Sequence, residues 1–119
     1  MDVFDHERLD VYQVSLEFPD VADGLLGHLR PKRMNLADEL ERASRSIVLN
    51  IAEGAGEFSV KEKARFYRMA KRSATECAAV LDLCKRYKVG EESARKTGRE
   101  LLLRIVSMLV KMAKSREPE

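Results

Sequence analysis

The stretch RASRSIVLNIAEGAGEFS, residues 42–59, repeats apolar residues at helical spacing while polar side chains run beside them. Extended back to Leu36, it places Leu36, Leu40, Ala43, Ile47, Ile51 and Gly54 on one face of a helix wheel, with Glu39, Arg42, Ser46, Asn50 and Glu53 along its border. The pattern predicts a helix over about 35–55. Asn35 is its expected N-cap with Asp38 three residues on, and Gly54 and Gly56 are its stop. Asn50 lies closest to the apolar face, and an unpaired polar group there costs about 1–3 kcal/mol. Hydrogen bonds to an adjacent helix are therefore expected, with a role in fixing helix register. Glu53 falls near the helix C-terminus, where the macrodipole opposes a negative charge, so it calls for a cation or the N–H groups of the next helix.

Outward from this stretch, three more helices follow from the spacing. Ser59 and Glu62 form a capping box that opens a helix over about 59–88, with a seam of Phe66, Ala70, Ser73, Cys77, Val80, Cys84 and Tyr87. Gly90 ends it. The next helix, about 91–115, carries two apolar stripes: Ala94, Leu101, Ile105, Met108 and Met112, then Leu102, Val106, Leu109 and Ala113. So wide a face calls for a subunit interface added to the bundle, or for a deeply buried central helix. The first helix, about 8–29, carries Leu9, Tyr12, Leu16, Val21, Leu25 and Leu29, and a kink or break is expected at Pro19. Short connections make neighbours antiparallel, so the predicted fold is all-α, an up-down-up-down four-helix bundle spanning residues 1–119 as one domain. The closing SREPE reads as a disordered tail.

Composition agrees. A chain of 119 residues with 45% hydrophobic and 35% charged residues has material for one core and not two. Six glycines, three prolines and seven aromatics leave little for a β-sandwich or barrel. The acidic start MDVFDHERLD is no secretory leader, and no apolar run reaches the roughly 20 residues a membrane span needs. A cytoplasmic protein with no membrane partner is expected. Cys77 and Cys84, seven residues apart on one helix, sit about 10 Å from each other along its axis, beyond disulfide reach. Buried reduced thiols are expected, with no metal and no cofactor.

Chemistry is sparse. Ser46, Asn50, Glu53, Ser73 and Glu76 share the border between the two middle helices, but they include no histidine base and no activated thiol. His6 and His28 lack the Glu-x-x-His spacing of di-iron bundles, and the GAG at 54–56 lacks a P-loop lysine. A structural polar seam of Arg42, Ser46, Asn50, Glu53, Ser73 and Glu76 in a non-enzymatic protein is the expectation; a small-molecule or catalytic pocket at that seam is the alternative.

Two segments, LDVYQVSLEF at 9–18 and LADELERASRSIVLNIAEGAGEFSVKEKARFYRMAKRSATE at 36–76, resemble the four-helix-bundle protein family associated with intervening sequences in 23S ribosomal RNA genes. The matching positions are Arg42, Ala43, Ser46, Ile47, Asn50, Ile51, Ala52, Glu53 and Gly54, with Ser73 and Glu76 as a second block. Arg72 stands where the family usually has glycine, and the turn before the second helix is shorter than usual. The resemblance implies a homo-oligomer, a homopentameric ring, of undefined activity. It also implies kinship with the accessory variability determinant proteins of diversity-generating retroelements, which bind nucleic acid and reverse transcriptase. It names no protein partner for this chain.

Charge is unevenly placed although the net is only +2. Residues 1–29 hold one arginine and seven acids, a net of −6, whereas residues 60–88 hold nine basic residues and three acids, a net of +6. Lys61, Arg65, Arg68 and Arg72 repeat opposite the apolar seam, with Lys71 at the edge. A solvated face is the ordinary role of such a stripe, and contact with another subunit's acidic first helix is a second. Set beside the retroelement proteins, it would also serve RNA or DNA phosphates.

Overall fold

The structure, a computed structural model, describes residues 2–115. Four α-helices form: α1 at Asp10–Leu29, α2 at Met34–Gly56, α3 at Val60–Tyr87 and α4 at Glu92–Lys114, preceded by a 3-10 turn at Asp5–Arg8. The tail expected at 115–119 lies outside the described residues after Ser115. The 28 residues of α3 rise about 42 Å at roughly 1.5 Å each. That one helix runs nearly the whole 44 Å long axis of the molecule.

Each helix packs on its neighbours in sequence, and α4 closes back onto α1. Among the described residues, α1 does not pack on α3, nor α2 on α4. This is the antiparallel up-down-up-down bundle, with α1 and α3 on opposite corners. Its core is one cluster drawn from all four helices, including Phe18, Leu25, Leu29, Leu40, Ile47, Ile51, Tyr67, Ile105 and Leu109. Much of the double stripe of α4 is used within the chain: Leu101, Leu102, Ile105, Leu109 and Ala113 are buried against α1 and α3, while Ala94, Val106, Met108 and Met112 are partly buried at its edge. Of its aliphatic residues Leu103 is left exposed.

Local signals held in part. Ser59 Oγ accepts a hydrogen bond from Glu62 N at 3.2 Å, as the capping box predicts, while the Glu62 carboxylate turns to Arg65. Asn35 is not the N-cap of α2; the helix begins at Met34 after Arg33, which makes no side-chain cap. Pro19 does not break α1, which runs through it. Burial outweighs the lost hydrogen bond, because Phe18, Ala22, Leu25 and Leu26 are all pinned in the core around that turn. Gly90, at φ +77, does lie just past the end of α3. The turn itself is made one step earlier by Lys88 in the left-handed region, with Val89 N donating to Cys84 O at 2.8 Å.

Gly54 has a different task from the one its sequence position suggests. α2 continues past it to Gly56, and Gly54 is buried. A Cβ there would lie 2.8 Å from Tyr67 Cε1 and 3.0 Å from Phe66 Cβ. The missing side chain lets α2 and α3 close on each other.

Candidate nucleic-acid interface

The expected interface is the outer side of α3. Lys61, Arg65, Arg68, Lys71 and Arg72 are all exposed on it. Helical spacing aligns Lys61, Arg65, Arg68 and Arg72 because apolar Ala64, Tyr67, Ala70 and Ala74 hold the other side in the core. Arg65 is held by two neighbours. Its Nε donates to Glu62 Oε2 at 2.6 Å, and its guanidinium stands 4.8 Å from the Phe66 ring centroid. That pairing offsets part of its charge. On the opposite corner of the bundle, α1 exposes Asp10, Glu17, Asp20 and Asp23. The charge asymmetry along the sequence thus becomes two opposed faces of one molecule.

The polar seam forms between α2 and α3. Ser73 Oγ donates to Ser46 Oγ at 2.9 Å, and Asn50 Nδ2 donates to Ser46 O and Ser46 Oγ, each at 2.9 Å. One turn along, Arg42 pairs with Glu76 across the same two helices. Five of the six predicted seam residues are joined in this way. The arrangement corrects one detail: Asn50 is satisfied by its own helix, and the link between helices passes through Ser46 and Ser73. Glu53 is exposed and takes no part in the seam. The C-terminal carbonyls of α2 are met by Lys63, whose Nζ donates to Ala55 O at 2.7 Å and Gly54 O at 3.2 Å. A cation at a helix C-terminus suits the macrodipole, and Lys63 reaches it from the first turn of α3.

These placements set two stability expectations that differ from the sequence reading. Glu53→Ala changes stability by no more than about 0.5 kcal/mol, since nothing buried loses a partner. Ser73→Ala, which strands the buried end of the seam, costs about 1 kcal/mol. Urea melts of both variants check the pair; an Glu53→Ala loss as large as that of Ser73→Ala contradicts this placement.

Chemical reactivity is low at the seam. Burial pushes the Cys77 thiol up to about 12, with Glu76 adding to the rise and Arg42 opposing it. Burial likewise raises Cys84, against a smaller opposing effect of Arg95. Both thiols are therefore protonated and weak nucleophiles at neutral pH. Two grooves, one between α3 and α4 and one at the turn before α2, open elsewhere, and neither is lined by Ser46, Asn50 or Ser73. Among the described residues, no group of three or more His, Cys, Asp or Glu is placed to hold a metal ion, and no helix is long and apolar enough to cross a membrane.

A model of the 23S rRNA-intervening sequence protein family matches residues 7–111. The chain belongs to that family. No curated protein matches it in sequence. The family match spans all four helices, so the seam, the close contact at Gly54 and the α3 face all lie within it. Lys63 is the residue that sequence reasoning missed. Its signal was present, as a lysine nine residues after Gly54 in the turn of a capped helix, but it was counted only as charge.

Proposed function

We propose that this chain is a non-catalytic, cytoplasmic scaffold that assembles with copies of itself and holds RNA or DNA phosphates on the outer face of α3. The observation that carries the reading is the segregation of charge: five exposed cations on the first half of α3 and four exposed acids on α1, at opposite corners of one bundle. A polyanion approaching α3 meets no acidic counter-face. The non-catalytic part is supported by a seam in which Asn50 and Ser73 both donate to Ser46, and by thiols that stay protonated. The assembly, a pentameric ring, is supported by the family resemblance and by apolar residues left in solvent on α2 and α4, Leu49 and Leu103.

Fluorescence anisotropy with labelled RNA and DNA tests the interface. Binding is expected to be weak, largely independent of sequence, and steeply salt-dependent, with a log-log slope of about −0.7 to −0.9 per phosphate contact. Arg65→Glu together with Arg68→Glu abolishes it for both nucleic acids while the helical circular dichroism is kept. Absence of binding to either at low salt overturns the reading. Sedimentation equilibrium tests assembly separately, and a stable monomer at micromolar concentration removes it.

A further inference from the structure

We infer that the groove between α3 and α4 is a binding site for a nucleoside phosphate. The groove encloses about 690 Å³, within the range of roughly 300–1,000 Å³ typical of small-molecule sites. Ala78 and Leu81 give it an apolar lining on α3. Lys85 from α3 and Arg95, Lys96 and Arg99 from α4 surround that lining, with Asp82 and Glu92 beside them.

Three features select the ligand. The first is unspent positive charge. Arg30, Arg42, Arg45 and Arg65 each have a carboxylate within ion-pair distance, but none of the ion pairs among the described residues uses a cation of this groove. Four cations beside two acids repel one another, and an incoming anion relieves that repulsion. The second is order. Arg95 is half-buried, and its Nη1 donates to Val89 O at 2.9 Å and Gly90 O at 2.6 Å. One edge of this guanidinium is thus fixed by the loop between the helices, which lowers the entropy cost of using its other donors.

The third feature is the apolar lining. An inorganic anion would engage the cations and leave uncovered the part-exposed Ala78 and the small edge of Leu81 that reaches the groove. A flat ring covers them, and its N–H groups or the sugar hydroxyls find acceptors in Asp82 and Glu92. Phosphate, sugar and planar base together answer all three features. The ligand is either a free nucleotide or the terminal nucleotide of a strand. The site lies further along α3 than the proposed nucleic-acid face: its nearest lining residue, Ala78, is six residues beyond Arg72, about 9 Å along the axis, and Lys85 is about 20 Å beyond Arg72.

Isothermal titration of the full chain with ADP and with pyrophosphate tests this. ADP binds saturably, one per chain, and pyrophosphate binds at least about tenfold more weakly. Lys96→Glu with Arg99→Glu, both exposed positions, lowers ADP affinity by at least about tenfold through lost charge-assisted contacts. Ala78→Phe, which fills the groove and leaves its charge intact, does the same. Arg65→Glu with Arg68→Glu leaves ADP binding unchanged, so this inference and the nucleic-acid reading fail separately. Competition by a 5′-phosphorylated oligonucleotide, but not by its 5′-hydroxyl form, identifies the strand end as the source; competition by neither identifies the free nucleotide. The inference is overturned by the absence of saturable ADP binding, by equal affinity for ADP and pyrophosphate, or by undiminished binding in folded Ala78→Phe.

Discussion

Gly54→Ala destabilises the bundle by about 1–3 kcal/mol, and Gly54→Val by more, because both force a side chain into a filled contact. The added Cβ would lie 2.8 Å from Tyr67 Cε1, 3.0 Å from Tyr67 Cδ1 and 3.0 Å from Phe66 Cβ. The Tyr67 ring cannot swing into solvent to make room, since the residue is only 1% exposed. Phe66 Cβ is fixed by the backbone of α3. Relief therefore requires α2 to lift from α3, which also strains the Ser46–Ser73 link. Gly56→Ala is the control, because a Cβ there meets nothing within 4 Å. Denaturant melts should show a lower midpoint for the Gly54 variants and none of that loss for Gly56→Ala. A wild-type midpoint for Gly54→Ala would show that the helices are not held this close.

Leu102→Ala and Ile105→Ala each cost about 2–5 kcal/mol, the range for emptying a packed core site. The two residues represent the two stripes of α4, and they are 2% and 0% exposed within the single chain. If both stripes belong to the bundle, the two losses are alike and independent of protein concentration. A Leu102→Ala loss that appears only where chains associate would instead assign the second stripe to a subunit interface. Leu103, which is 57% exposed, should tolerate alanine within about 0.5 kcal/mol in the isolated bundle.

Helix number and order, and the inward face of α2, were legible because each depends on residues that recur every three or four positions. The face of α1 was not, since Leu16 is exposed and Val11, Val14 and Phe18 fill the core instead, and Tyr87 at the end of the α3 seam is exposed. The double stripe of α4 was legible as residues but not as geometry. Its buried part lies between two neighbours, α1 and α3, that flank one helix at a corner of the bundle, and periodicity does not count neighbours. Gly54 looked like a stop because glycine ends many helices; that it admits Tyr67 depends on a ring thirteen residues later in sequence. Asn50 was recognised as needing a partner, but the choice of Ser46 over a residue of α3 is a matter of side-chain rotamers. The cations of the α3–α4 groove come from two helices, and their convergence follows from packing that no single stripe displays.

The acidic α1 and α2 on one side of the bundle and the basic α3 and α4 on the other give the molecule an electric dipole directed across its axis, from the first pair of helices toward the second. Such a dipole exerts a torque on the bundle in the field of any polyanion, so rotation begins before contact. At physiological ionic strength the field fades over about 8 Å, confining this turning to the last moments of approach. A tumbling molecule then arrives with the α3–α4 side leading and the α1–α2 side trailing, and its rotational search is shortened without any gain in contact energy.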